Sequence, residues 1–230
     1  MLLIQFAKWP VPGKVKTRIA KSVGDERACE IHLALTRQVL HNLRRTTDAQ
    51  VELWFDSIPE ASSDEFKFGK SLWTELEEAG IPVRLQQGDD LGARMYHALS
   101  DGLERQSAKK REQKVVIVGS DCPTVDDRYL QLARDRLDQC DLVLGPSDDG
   151  GYVLIGVSRI NNALLCDTPW GTETVLQTTV QRAQDCGLKY DLLPITWDID
   201  DIDDYERWVR SRAQIPPFDV VKESMGFNGV

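Results

Sequence analysis

Two kinds of apolar pattern alternate along this chain. Short apolar runs occur at Leu2 to Ala7, Val51 to Phe55, Ile81 to Gln86, Val115 to Val118, Asp141 to Pro146, Val153 to Val157 and Leu188 to Pro194. Runs of this length, bounded by glycine, proline and acidic residues, predict strands, and those without polar alternation predict strands buried on both faces. Between them, apolar residues recur every third or fourth position, which predicts helices. Asp25 to Thr47 carries the stripe Ala28, Ile31, Leu35, Val39 and Leu43; His32 and His41 fall off it and read as surface positions. Residues 57–70 read as an irregular or partly helical surface segment, and Leu72 to Ala79 as a short helix ended by Gly80. A helix capped by Asp89 or Asp90 runs to about Gln106, with Leu91, Met95, Leu99 and Leu103 on one face. Asp126 to Gln139 is another, and Val175, Leu176, Thr179, Val180 and Ala183 mark one that ends near Gly187. The elements predict one α/β domain over residues 1–213, with residues 214–230 a loosely packed tail.

The run Val115-Val116-Ile117-Val118 reads as a central strand, and Gly119-Ser120-Asp121-Cys122-Pro123 ends it. Asp121 therefore sits just past a strand's carboxyl end, where ligands bind in open α/β sheets. A lone carboxylate there suits a divalent metal on a phosphate. It equally suits a cap for the next turn or helix.

Charge sharpens the picture at the first strand. The chain's net charge is −9, yet Lys8, Lys14, Lys16, Arg18 and Lys21 cluster directly after residue 7, with no acid before Asp25. Pro10, Pro12 and Gly13 make this stretch a stiff loop. Lysines as point charges and an arginine as a bidentate fork suit phosphates; a solvated basic loop is the plain alternative. The stretch matches neither the Walker loop nor G-x-G-x-x-G.

Further along, Gly88 and Gly92 allow close backbone approach, and Arg94 falls in a helix's first turn. A cation there opposes the helix dipole, which suggests an anionic ligand; a surface arginine is the alternative. Ser147-Asp148-Asp149-Gly150-Gly151-Tyr152 separates two strands. Spacing alone favours a hairpin turn over a substrate loop in which Asp149 binds a hydroxyl or a proton. Trp197-Asp198-Ile199-Asp200-Asp201-Ile202-Asp203-Asp204 is densely acidic. Asp203, Asp204 and Glu206 fit the first turn of the last helix, which leaves Asp198 or Asp200 as a second metal ligand.

Composition narrows the partners. The acidic balance disfavours nucleic acid. No apolar run approaches membrane-spanning length, and the opening residues lack a charged signal region. Cys29, Cys122, Cys140, Cys166 and Cys186 are scattered without a C-x-x-C pair, as expected of reduced thiols in the cytoplasm.

Five segments together carry a resemblance. They are Phe6-Ala7-Lys8 with Pro10, Pro12-Gly13 and Lys16-Thr17-Arg18; Gln87-Gly88 with Asp90-Leu91-Gly92 and Arg94-Met95; Gly119 to Pro123; Gly145-Pro146 with Asp149-Gly150-Gly151-Tyr152; and Asp198-Ile199-Asp200. The chain resembles, over roughly residues 2 to 210, the DUF2064 family of bacterial proteins, grouped with GT-A glycosyltransferases or named rSAM/selenodomain-associated transferases. It is similar, more distantly, to 2-phospho-L-lactate and molybdenum-cofactor guanylyltransferases. The resemblance implies a nucleotide-diphospho-sugar transferase fold (GT-A, Rossmann-like), a mainly parallel sheet flanked by helices. It implies that Lys8, Gly13, Lys14, Lys16, Arg18 and Lys21, with Gly92 and Arg94, hold nucleotide phosphates. It implies Mg²⁺ or Mn²⁺ on Asp121 and Asp200, and a substrate side formed by Asp149, Gly150, Gly151, Tyr152, Trp170 and Thr172. Trp170-Gly171-Thr172 departs from the family's Trp-Ser-Thr by one hydroxyl. Asp200-Asp201-Ile202-Asp203-Asp204 lacks the rigid Thr-Pro step of the family's Asp-Thr-Pro-Glu-Asp.

The expected function is a metal-dependent transferase that moves a group from a nucleoside triphosphate or nucleotide sugar to a small-molecule acceptor. Lys16 and Arg18 would neutralise the leaving phosphates. Asp149 would serve as base if a hydroxyl attacks a sugar carbon. Nucleotidyl and glycosyl transfer share this charge neutralisation and differ in the atom attacked. The alternative is a non-catalytic nucleotide-binding or regulatory module on the same fold. A thiol enzyme built on Cys122 is a weaker rival.

Overall fold

The computed structural model describes residues 1–109 and 111–213. Strands β1 (Leu2–Ala7), β2 (Gln50–Phe55), β3 (Val83–Leu85), β4 (Val115–Gly119), β5 (Leu142–Pro146), β6 (Tyr152–Val157) and β7 (Tyr190–Leu192) form one sheet in the order β3-β2-β1-β4-β6-β5-β7. β6 pairs antiparallel with β4 and β5, and every other pairing is parallel. The sheet is therefore mainly parallel, and the carboxyl ends of β1, β2 and β4 lie along one edge.

The described residues also form α-helices α1 (Thr17–Val23), α2 (Asp25–Arg44), α3 (Asp64–Glu78), α4 (Leu91–Ala108), α5 (Asp127–Arg136), α6 (Val175–Asp185) and, after the last strand, α7 (Ile202–Ala213). Period-two alternation in the strands divides the core. Leu2, Ile4 and Phe6 of β1 pack with Met95, Ala98 and Leu99 of α4. Leu3 packs with Val39 and Leu43 of α2 on the opposite face. Both faces of β1 and β4 are covered, which explains their unbroken apolar runs. No helix among the described residues is long and apolar enough to cross a membrane. All five cysteines are free thiols.

Three segments differ from the sequence expectation. Residues 64–78 form one continuous helix, joining the partly helical alternative for 57–70 to the short helix expected from Leu72. Ser63 caps it by accepting from the Phe66 N–H at 3.2 Å. Phe66 and Trp73 are held by Trp9, so tertiary aromatic packing decides a segment whose own polarity is ambiguous. The loop after β1 shortens because Thr17–Val23 is helical. Leu91, expected on an inward helix face, is 43% exposed at the mouth of the site. The expected tail lies outside the described residues.

Candidate active site

The site forms where β1 and β4 end. Gln5, the one polar residue in the apolar run of β1, is fully buried. Its side-chain amide donates to the Thr36 carbonyl and to Ser120 Oγ, both at 2.9 Å. Ser120 donates in turn to the Phe6 carbonyl at 2.8 Å. These bonds tie the turn after β4 to β1 and fix the start of the Asp121 segment. The loop after β1 is anchored by Trp9, whose buried indole packs on Phe55 and Phe66 and whose N–H groups bond Asp56 and Glu65.

From this anchored loop, Lys16 enters α1 in the left-handed region, with φ 47 and ψ 45. Its side chain is only 8% exposed. The ammonium lies 3.0 Å from Asp121 Oδ2 and 3.8 Å from Asp200 Oδ1, and it donates to the Ile199 carbonyl. Arg18 lies 2.9 Å from Asp200 Oδ2. The Asp198-Ile199-Asp200 segment is docked because buried Ile199 donates its N–H to the Asp121 carbonyl at 2.9 Å. That docking turns Asp198 and Asp200 together toward Asp121. Oxygens of the three carboxylates lie within 4.8 Å of one another.

The electrostatics follow from this crowding. Burial raises the Asp121 carboxyl, but the adjacent Lys16 charge and hydrogen bond outweigh it and hold Asp121 below the ordinary range. Lys16 is raised: burial pulls it down, and the Asp121 charge and hydrogen bond, helped by Asp200, more than reverse this. Asp198 has no such partner among the described residues. Burial, then the charges of Asp121, Asp200 and Asp149, push it up to about 7. Three hard oxygen ligands whose own charges resist coexistence are the donor set that a divalent cation relieves.

A cavity of about 490 Å³ opens beside this cluster. Lys8, Lys16, Arg18 and Arg94 line it, with Asp56 and Gln86 on the wall formed by the ends of β2 and β3. Asp90 caps α4 by accepting from the Ala93 N–H at 2.8 Å, and Arg94 bonds the Gly88 carbonyl at 3.0 Å. A second cavity, of about 310 Å³, lies at the amino ends of β1 and β2 against the ion pairs of Glu112 and Arg134, away from this chemistry.

The sequence candidates separate around the cavity. Gly13, Lys14, Lys21 and Gly92 are not in its lining. Lys14 pairs with Glu65 at 2.6 Å on the surface. Lys21 is exposed in the last turn of α1. Gly92 lets α4 approach the next segment: a Cβ there would stand 2.3 Å from the Leu165 carbonyl oxygen. On the other side, β5 and β6 pair as a hairpin whose loop holds Asp149. Asp149 Oδ1 accepts from Ser147 Oγ at 2.5 Å and from the Gly151 N–H at 2.9 Å. Gly150, at φ +88, carries the loop against Glu173. The Tyr152 ring meets Trp170 edge-on at 6.2 Å, and Thr172 bonds the Pro169 carbonyl. Asp149 thus borders the acidic cluster, while Tyr152 and Trp170 pack on the core beneath α4, with Trp170 against Gly92.

Two positions need correction or addition. His32, expected on the surface, is 6% exposed, lines the cavity and donates through Nε2 to the Lys8 carbonyl at 2.9 Å. Burial lowers its pKa, so it stays neutral. The apolar stripe does not reveal it, because the loop after β1 folds over the edge of α2. Cys122 is buried beside Asp121, and burial and that carboxylate push its thiol well above the ordinary value. This is the opposite of a nucleophile's setting.

Comparisons with known proteins agree on the fold. The profile of DUF2064, described as an uncharacterized protein conserved in bacteria, matches residues 39–172. A crystal structure from Desulfovibrio desulfuricans, provisionally named a nucleotide-diphospho-sugar transferase, is 29% identical. It superposes with a TM-score of 0.78 over 94% of this chain and 88% of that one. The 4-diphosphocytidyl-2C-methyl-D-erythritol synthase of Anaerococcus prevotii is 10% identical, with a TM-score of 0.55 over 93% of this chain and 98% of its own. Rv0371c of Mycobacterium tuberculosis, solved as a manganese complex, is 16% identical, with a TM-score of 0.50 over 91% and 98%. No curated protein matches the chain. The fold is that of the nucleotide-diphospho-sugar transferases.

Proposed function

We propose that this chain, which belongs to the DUF2064 family, is a metal-dependent transferase acting from a nucleotide-activated donor on a small-molecule acceptor. One observation carries the reading. A three-carboxylate cluster and a cavity lined by Lys8, Lys16, Arg18 and Arg94 share the edge formed by β1 and β4. A phosphate chain fits the basic wall, and a hard divalent cation fits the acidic one. The name given to the 29% identical Desulfovibrio protein supports the same class.

In this reading Asp121 and Asp200, with Asp198 beside them, hold Mg²⁺ or Mn²⁺. When bound, the metal would neutralise charge on the donor's phosphates. Lys8 and Arg94 bind the phosphates along the cavity wall. Lys16 and Arg18 stabilise the charge that builds on the leaving group. His32 holds the Lys8 backbone in place.

Of the two reaction types, nucleotidyl transfer is favoured. Four cationic side chains around one cavity suit a triphosphate. Attack by a phosphate or carboxylate oxygen needs no protein base. Glycosyl transfer would call on Asp149, whose Oδ1 is already held by Ser147 and Gly151.

A thermal-shift panel of nucleoside triphosphates and nucleotide sugars with Mn²⁺ tests the proposal. Stabilisation by a triphosphate above its sugar derivative supports nucleotidyl transfer, and the reverse order supports glycosyl transfer. No shift with any metal–nucleotide pair contradicts the nucleotide reading. Tight binding with no turnover of any acceptor would leave the non-catalytic module.

A further inference from the structure

We propose that Lys16 is a tethered cation occupying the seat of the metal, and that nucleotide phosphates draw it away so that metal and phosphate load together. The inference rests on the metal reading above and adds an exchange to it. Its basis is the position of one nitrogen. Lys16 Nζ lies 3.0 Å from Asp121 Oδ2 and 3.8 Å from Asp200 Oδ1, and donates to the Ile199 carbonyl between them. All three partners belong to the acidic cluster or its backbone.

Asp121 and Asp200 would hold the metal through carboxylate oxygens that face Lys16. The ammonium already lies within hydrogen-bonding distance of one of those carboxylates. Two cations cannot share that space without strong repulsion, because little solvent screens a side chain that is 8% exposed. Asp198 makes no ion pair among the described residues, so one internal charge serves a cluster of three carboxylates. Lys16 therefore holds the ligands converged at the cost of competing for them.

The same side chain offers a way out. Lys16 lines the phosphate-sized cavity together with Lys8, Arg18 and Arg94. Its stem has four rotatable carbons, while its backbone is fixed at the start of α1. A phosphate entering the cavity gives the ammonium a second anionic partner. Moving there vacates the carboxylates for the metal and brings a positive charge to the donor. Phosphate and metal then favour one another, and the coupling is reciprocal. Arg18, 69% exposed and paired with Asp200 at the surface, is not placed to do this.

The test uses two probes separately: Mn²⁺ alone, followed by the spin-resonance signal of free Mn²⁺, and inorganic pyrophosphate in chelator, followed by calorimetry. Lys16→Met is predicted to bind Mn²⁺ about tenfold tighter than the natural chain and pyrophosphate about tenfold weaker, the size of one charge-assisted contact. Opposite signs are the signature, since mere loosening of the site weakens both. Lys16→Gln, which keeps a donor for the Ile199 carbonyl, should behave alike and guards against a folding defect in the first variant. Asp121→Asn should abolish Mn²⁺ binding in either background. Mn²⁺ binding that is unchanged or weaker in both folded Lys16 variants overturns the exchange while leaving the metal site standing. Failure of every protein to bind Mn²⁺ overturns the metal reading and the exchange with it.

Discussion

Replacing Asp198 by Asn removes the carboxylate that the cluster tolerates least. Burial and three neighbouring carboxylates raise this group to about 7 from 3.8. A carboxyl with a raised native value binds its proton more tightly in the fold than in the unfolded chain. Its stabilisation is complete below pH 3.8 and is lost as pH rises through about 7. At about 1.4 kcal/mol per pH unit, the whole window amounts to about 4 kcal/mol at most. The part lost between pH 5 and pH 8, lowered for solvent access at a half-buried position, is about 2 kcal/mol. His32 works the other way, because a lowered histidine gains stability as pH rises toward its unfolded value near 6.5. The difference between natural chain and variant therefore isolates Asp198. Urea unfolding in chelator should give Asp198→Asn a stability advantage that grows by about 2 kcal/mol from pH 5 to pH 8. Excess Mn²⁺ at pH 8 should erase that advantage by stabilising the natural chain. An advantage that is flat with pH, or that shrinks on going up, would refute the electrostatic account of the cluster.

Other consequences lie elsewhere in the fold. Arg105→Met removes the two-pronged partner of Glu52, whose side chain is 7% exposed, and should cost about 3 kcal/mol in urea unfolding, with Arg84 limiting the loss. Adding Glu52→Gln should recover part of it, since an amide still accepts from Trp54 Nε1. Gly150→Ala places a Cβ 2.3 Å from the Glu173 carbonyl oxygen at φ +88 and should lower stability by about 2 kcal/mol by thermal unfolding. Glu112 is held at about 2: burial raises it, but bonds to Lys114, the amino terminus and Arg134 outweigh that. Its contribution is present above pH 4.5 and lost as pH falls toward 2, so Glu112→Gln should flatten the acid limb of the stability curve.

Much of the fold is legible in the chain because its strands carry their burial openly. The apolar runs of β1, β4 and β5 and the stripe of α2 fall where the pattern puts them. The first half of the helix at residues 64–78, left between irregular and partly helical by its pattern, depends on aromatic contacts with Trp9, more than fifty positions away along the chain, which periodicity does not encode. The site was partly legible. The alternation Asp198-Ile199-Asp200 signals two carboxylates on one side, and Ile199 is indeed the buried residue between them. The basic loop is visible in the chain as a run of cations, but not that Lys16 turns inward while Lys14 and Lys21 turn out. That division arises from the left-handed backbone at Lys16 and the pairing of Lys14 with Glu65. Gln5 left a trace, as the lone polar residue in an apolar strand; His32 left none.

The central claim is that a metal held by Asp121 joins a nucleotide to this edge of the sheet. Calorimetric titration of nucleoside triphosphates, in Mg²⁺ and then in chelator, into the natural chain and into Asp121→Ala tests it most directly. At a nucleotide concentration a hundredfold above its Kd, the same binding should also stabilise the natural chain by about 2.7 kcal/mol. The account predicts tight binding of at least one triphosphate by the natural chain in Mg²⁺, and its loss both in chelator and in Asp121→Ala. Binding that is equal in all conditions, or absent for every triphosphate in Mg²⁺, would contradict it.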